Sequence, residues 1–142
     1  MPSVNLIYKK GNDISDNDKK WIEAIIPFAV DRLKIKESFT IYIMPNDSNN
    51  TITNLKDHLK KAVFIPSERT MEIYVSNRHI LDILVSIVHE MVHLSQMERD
   101  KNLMIGYIPY DIPDGHPGKD VEYEAYGKSG MIVRAFRGAL NS

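Results

Sequence analysis

The longest apolar-periodic run of the chain spans residues 77–100 and reads NRHILDILVSIVHEMVHLSQMERD. Its apolar residues recur every three or four positions, which is the spacing of one buried face of an α-helix. This face consists of Ile80, Leu84, Ile87, Val88, Met91 and Leu94. Asn77 or Ser76 can supply the N-cap. The run therefore predicts one long core helix.

The same run contains HEMVH, an H-E-x-x-H motif made by His89, Glu90 and His93. Each helical residue advances by about 100°, so the two histidines lie about 40° apart and one turn along the axis. Both imidazoles can therefore bind one metal ion, and Glu90 lies to the side, where it can take a proton from a water on that ion. Two histidines on an otherwise apolar stripe are costly to bury without partners, and a metal ion is the simplest partner for both.

A catalytic zinc ion usually has three protein ligands and one open position. The chain has no cysteine and no second H-E-x-x-H motif, so the third ligand must lie further along the chain, where the candidates are His116, Asp120, Glu122 and Glu124. Ala125 lies three residues after Glu122, on the same helical face, and a small residue there lets that helix approach the motif helix. This spacing favours Glu122 and predicts that Glu124 points away, with Glu124 and His116 as the alternatives.

Four short runs rich in β-forming residues predict strands, at 4–8, 38–44, 62–66 and 70–76. The last two alternate and are joined by a short connector, so they predict a hairpin. Strands clustered before the last two helices favour an α+β fold. We therefore expect a single domain over residues 1–142, with the N-terminal helix packed on a short, mainly antiparallel sheet.

Two further helices are predicted from apolar spacing. The first covers residues 15–35 and is capped by Ser15, and Pro27 inside it should kink or split the helix. The last covers residues 119–140, with Gly127 and Gly130 as weak points.

Composition limits the classes of partner. The net charge of −1 gives no bulk electrostatic reason to expect nucleic acid, which is therefore an unlikely partner. The absence of cysteine excludes disulfides and thiolate metal ligands. The N-terminus has no signal pattern and we find no apolar run of membrane-spanning length, so we expect a cytoplasmic protein without a membrane partner.

The segment HEMVHLSQ followed by DVEYEAYG resembles small SprT-like or minigluzincin metallopeptidases, many of them encoded by bacteriophages. The resemblance covers about the second half of the chain. It implies a zincin-like fold, Zn²⁺ as cofactor, His89, His93 and Glu122 as its ligands, and Glu90 as general base. The segment GHPGKDV partly echoes the third-histidine segment of SprT domains, which keeps His116 as an alternative ligand. The resemblance also implies that a peptide substrate adds as a strand along residues 70–76.

These observations predict zinc-dependent hydrolysis of peptide bonds. The alternative is a catalytically silent, metal-stabilised binding or regulatory protein of the same fold. Gln96, one turn after His93, can orient that ligand or serve as an ordinary polar residue. Candidate donors to a developing oxyanion are Tyr107, Tyr110, Tyr126 and His116.

Overall fold

The computed structural model describes residues 2–45, 61–100 and 117–140. They form three helices and a four-stranded sheet, which confirms the α+β class. The strands are β1 Val4–Tyr8, β2 Phe39–Met44, β3 Ala62–Ile65 and β4 Thr70–Tyr74. The helices are α1 Asp16–Leu33, α2 Ile80–Arg99 and α3 Pro117–Leu140, and a short 3₁₀ turn, Pro66–Glu68, joins β3 to β4.

The sheet has the order β1-β2-β4-β3 and is mostly parallel, so the expectation of a mainly antiparallel sheet is wrong. β1 pairs with β2, and β2 with β4, in parallel, whereas only the predicted β3–β4 hairpin is antiparallel. The physical reason is the connection: α1 lies between β1 and β2, and a helical crossover returns the chain in the same direction. An alternating apolar pattern locates a strand without reporting the direction of its neighbours.

Helix α1 packs one apolar face into the core. Its N-cap is Ser15, as predicted, because the Ser15 hydroxyl accepts a hydrogen bond from the backbone N–H of Asp18. Pro27 lies inside one uninterrupted helix, so the expected split is wrong. The buried residues of this face are Ile22, Ile25, Ile26, Ala29 and Val30.

Helix α2 is the most buried helix that the structure describes, and its whole predicted apolar stripe except Ile80 is fully enclosed. It is capped by His79, whose Nδ1 accepts from the N–H of Leu81, and not by Asn77 or Ser76 as expected. Asn77 has a φ of 58°, so the chain makes a left-handed turn there before the helix begins. By length and composition α2 could also cross a membrane, contrary to our expectation that no run is long enough, but most of it is buried inside the fold.

Helix α3 packs mainly against α2, and it also contacts α1. Gly127 and Gly130, the expected weak points, lie inside one continuous helix and are exposed. A Cβ atom added at either position would meet nothing within 4 Å. The pairing of α2 with α3 brings the H-E-x-x-H motif next to the segment that follows Asp120.

Candidate metal centre

Helix α2 presents His89 and His93 on one face, as the four-residue spacing predicts. Their ring centroids are 4.9 Å apart and the rings are nearly perpendicular, with an interplanar angle of 84°. His93 is 4% exposed, and His89 is less deeply buried. Apolar neighbours on the same helix, among them Val88 and Val92, are enclosed in the core and anchor this face. The imidazoles are therefore held where α2 meets α3.

Glu122 from α3 reaches both histidines. Its Oε1 atom lies 2.6 Å from Nε2 of His93, and its Oε2 atom lies 3.6 Å from Nε2 of His89. Ala125, on the same face of α3, is fully buried, in keeping with the close approach of the two helices inferred from the sequence. Three nitrogen and oxygen donors from two helices thus converge on one point.

The electrostatics of this cluster keep Glu122 anionic. Burial by itself raises the pKa of Glu122, but its contacts with His89 and His93 outweigh burial and lower the pKa to about 2. Burial also disfavours the charged form of His93, and for a base this lowers the pKa. The contact with Glu122, the charge of Glu90 and the contact with Gln96 outweigh burial and give a net increase. A carboxylate held in its charged form beside two imidazoles is a donor set that suits a divalent cation.

Glu90 lies beside this cluster and is only 6% exposed. Its Oε2 atom is buried and has no hydrogen-bond partner among the residues that the structure describes. Burial raises the pKa of Glu90, the negative charge of Glu122 adds to the increase, and His93 and His89 oppose it. A buried carboxylate oxygen without a partner is costly, which indicates that this oxygen faces a group that the described residues do not supply.

The ligand atoms of His89, Glu90 and His93 all lie within 4.8 Å of one another, and this group could hold a metal ion. The group defined by these distances contains Glu90. The carboxylate that lies beside the two Nε2 atoms, however, is that of Glu122. The contacts favour Glu122 as the third ligand, because coordination through Nε2 needs a donor on the side that these nitrogens face. The donor set fits a cation, and the role of Glu122 as third ligand stays a prediction.

A chain of hydrogen bonds continues behind His93. Nδ1 of His93 lies 2.8 Å from Oε1 of Gln96, and Nε2 of Gln96 donates to the Val121 carbonyl at 3.0 Å and to Oε1 of Glu124 at 2.7 Å. Arg99 donates to the same Glu124 oxygen at 2.7 Å. Because both acceptors face the Gln96 amide nitrogen, the Gln96 oxygen must face His93, whose Nδ1 then carries the proton. Nε2 of His93 then faces Oε1 of Glu122 at 2.6 Å, a contact that needs a proton between the two atoms. A metal ion bound here would take the place of that proton.

Glu124 is therefore placed behind the site and does not touch the Nε2 atoms. Burial raises the pKa of Glu124, but hydrogen bonds from Arg99 and Gln96 outweigh it and lower the pKa. Sequence reasoning had considered Glu124 only as a rival ligand, and it missed Arg99. The available signal was that a buried Gln96 amide needs two acceptors, and that Arg99 follows Gln96 by three residues on the helix.

The remaining sequence candidates are placed as follows. The ring of Tyr126 lies 4.5 Å from that of His89, centroid to centroid, and Tyr126 is largely exposed. Asp120 is exposed at the start of α3. His116, Tyr107 and Tyr110 lie outside the described residues. The choice of oxyanion donor stays a prediction.

Strand β4, where strand addition was expected along residues 70–76, has no free edge. Thr70–Tyr74 pairs with β2 on one side, and on its other side β4 pairs with β3. An inner strand cannot accept another chain, so that location is wrong. β3 is the edge strand on this side of the sheet within the described residues.

No protein-family model and no curated protein matches the chain. The resemblance to minigluzincins therefore stays a prediction, and the function is inferred from the geometry of the site.

Proposed function

We propose that the protein is a zinc-dependent metallopeptidase of the minigluzincin kind, in which His89, His93 and Glu122 bind the ion. One observation carries the proposal: the Glu122 carboxylate contacts Nε2 of both histidines, at 2.6 and 3.6 Å, with the buried Glu90 beside them. A structural metal site has no need of an extra buried carboxylate, whereas a hydrolytic one does.

The donor set supports zinc as the ion. Two imidazoles and one carboxylate are the ligands of a large class of catalytic zinc sites, which keep a fourth position open for water or substrate. When bound, the ion lowers the pKa of water and polarises a scissile carbonyl. The chain's own contribution is to hold the ligands rigidly, with Gln96 fixing the tautomer of His93.

Glu90 acts as the general base. It accepts the proton of the attacking water and later delivers it to the leaving amine, so no proton needs to come from bulk solvent. Its burial raises the pKa above that of an ordinary carboxyl group, which makes it a better proton acceptor at neutral pH. Its oxygen without a hydrogen-bond partner supplies the acceptor that this step requires.

The substrate is an extended peptide that adds to the outer edge of β3, Ala62–Ile65. Among residues 2–45, 61–100 and 117–140, only β4 pairs with β3, so the main-chain groups on its other side have no strand partner within that part of the chain. Helix α2 contacts both β3 and β4, so this edge borders the helix that carries the motif.

The proposal is tested by zinc content together with cleavage of a diverse peptide library. Purified protein should bind close to one zinc ion per chain and cleave peptides, and Glu90→Gln should keep the zinc and lose at least about a hundredfold in rate. Glu23→Gln, an exposed glutamate on α1, is the matched control and should retain full activity.

Two results would contradict the peptidase proposal. One is a Glu90→Gln variant that cleaves as fast as the unchanged protein. The other is zinc binding without any cleavage, with a large loss of thermal stability on zinc removal, which would favour the metal-stabilised binding protein.

A further inference from the structure

A cavity of about 650 Å³ lies between the C-terminal ends of α1 and α2 and the middle of α3. It is separate from the candidate metal centre, since none of His89, Glu90, His93 and Glu122 lines it. The charged residues of its lining are Arg32, Lys34, Lys36, Arg99, Lys128 and Glu98. Five cations against one carboxylate is a strong local bias in a chain whose net charge is −1.

The single carboxylate does not neutralise these cations. Both oxygens of Glu98 are occupied, because they accept from the backbone N–H groups of Lys36 and Glu37 and pair with Arg69, which does not line the cavity. The cavity therefore presents positive charge that its own acid leaves uncompensated.

The helix dipoles explain only part of this cluster. Cations at a helix C-terminus offset its negative end, which accounts for Arg32 in the last turn of α1, for Lys34 at its C-cap and for Arg99 in the last turn of α2. Lys36 lies beyond the end of α1, and Lys128 lies in the middle of α3. Neither is placed to offset a helix end.

Several of these cations are also free to bind a ligand. Arg99 and Lys128 both pair with Glu124, which leaves each of them further donors. Lys34 and Lys36 form no side-chain ion pair within residues 2–45, 61–100 and 117–140. Within the described residues, two lysines without an ion-pair partner thus line a cavity that also contains two partly engaged cations.

Apart from Ser95, the uncharged part of the lining is apolar and includes Leu33, Met131 and Ile132. Met131 is 68% exposed, so its side chain is available to a ligand. The volume lies in the range of small-molecule sites, which combine apolar walls with a few polar groups.

We propose that this cavity binds an organic phosphate ester whose phosphate contacts Lys34 and Lys36 and whose apolar part contacts Met131 and Ile132. A phosphate carries up to two negative charges and several acceptor oxygens, so it suits the two neighbouring lysines that follow α1, with Arg99 of α2 and Lys128 of α3 lining the same cavity. The assignment goes beyond the peptidase activity and does not depend on it.

Calorimetric titration of the full chain with hexyl phosphate tests the assignment. We expect saturable binding of one molecule per chain, weaker binding of inorganic phosphate, which lacks the apolar part, and no binding of hexanol, which lacks the charge. The double variant Lys34→Gln/Lys36→Gln should weaken hexyl phosphate binding at least tenfold. The matched control Lys10→Gln/Lys20→Gln changes two exposed lysines outside the cavity lining and should leave the affinity unchanged.

The controls separate this site from the metal centre and identify the source of the phosphate. Phosphate bound at a metal ion would be insensitive to Lys34 and Lys36, so unchanged affinity in that double variant overturns the proposal, as does equal weakening in both double variants. Cosedimentation with phosphatidic acid vesicles, lost in the Lys34→Gln/Lys36→Gln variant, would assign the phosphate to a membrane lipid. Binding of hexyl phosphate without cosedimentation assigns it to a soluble molecule.

Discussion

Replacing Gln96 by leucine tests how the second helix prepares its histidine for a metal. Gln96 is 1% exposed and makes three hydrogen bonds, to Nδ1 of His93, to the Val121 carbonyl and to Glu124. Leucine fills nearly the same volume but offers neither a donor nor an acceptor. The substitution therefore removes the groups that fix the His93 tautomer while it keeps the packing.

The magnitude follows from those three bonds. Each costs about 1 kcal/mol when lost, and the one to the charged Glu124 costs about 2, so the gross loss is about 4 kcal/mol. The larger apolar surface of leucine recovers about 1–2 kcal/mol. A net loss of about 2–3 kcal/mol leaves a typical domain folded. Removing the partner of a metal-ligating histidine lowers metal affinity by about 10–100-fold.

The assay is a competition titration of zinc against a chromophoric chelator, at a temperature where circular dichroism shows each variant folded. Ile41→Val on β2 is the control for destabilisation alone, because Ile41 is fully buried away from the site and its loss of a methylene costs about 1 kcal/mol. That variant should keep its zinc affinity. Unchanged affinity in Gln96→Leu would refute the reasoning.

Exchanging the amide of Gln96 and the carboxylate of Glu124 tests whether the hydrogen bond between them supports His93. In the unchanged protein the amide nitrogen of Gln96 lies 2.7 Å from Oε1 of Glu124. Gln96→Glu alone places a second carboxylate opposite Glu124, and the repulsion should weaken zinc binding and lower stability. Adding Glu124→Gln restores a donor opposite an acceptor and should recover part of both losses. If the double variant binds no better than Gln96→Glu, the hydrogen bond between these side chains does not support the histidine.

Three further predictions concern stability and the approach of the helices. Gly127→Ala and Gly130→Ala should each raise the free energy of unfolding by about 0.5–1 kcal/mol in urea titrations, because alanine favours the helix and a Cβ has space at both positions; a loss of stability would contradict this. Glu98 accepts hydrogen bonds from two backbone N–H groups and from Arg69. Burial raises the pKa of Glu98, but these bonds outweigh it and lower the pKa, so their stabilisation is fully present above about pH 4.5 and is lost as the pH falls through the lowered pKa. Glu98→Gln should cost about 2 kcal/mol at pH 7 and progressively less as the pH falls below about 4.5, and a cost that does not change with pH would exclude the carboxylate as its source. Ala125→Leu should lower stability by about 1–3 kcal/mol and weaken zinc binding, because a larger side chain separates α3 from α2. Thermal melting measures the first effect and the chelator competition measures the second. A stable variant with unchanged zinc affinity would show that the close approach of the two helices is unnecessary.

The sequence predicted most of what a helix determines locally. The spacing of His89 and His93, and the position of Ala125 three residues after Glu122, were enough to infer which side chains meet, because a helix fixes the direction of each residue. The Ser15 cap followed from the same local rules. These features need no knowledge of distant parts of the chain.

Features set by distant parts of the chain were predicted less well. The direction of β2 relative to its neighbours, and the inner position of β4, depend on how the chain returns after α1 and after β2, which an alternating pattern does not encode. The His79 cap depends on the left-handed turn at Asn77. That Glu124 accepts a hydrogen bond from Gln96 could be inferred only from the distance between the two side chains.

The central claim is that His89, His93 and Glu122 together hold one divalent ion. Its most direct test is the zinc content per chain after loading and gel filtration, measured for the unchanged protein and for His93→Ala, Glu122→Ala and Glu124→Ala. We predict close to one zinc ion in the unchanged protein, loss of most zinc in His93→Ala and Glu122→Ala, and measurable retention in Glu124→Ala. Full retention in Glu122→Ala, with loss in Glu124→Ala, would contradict the account.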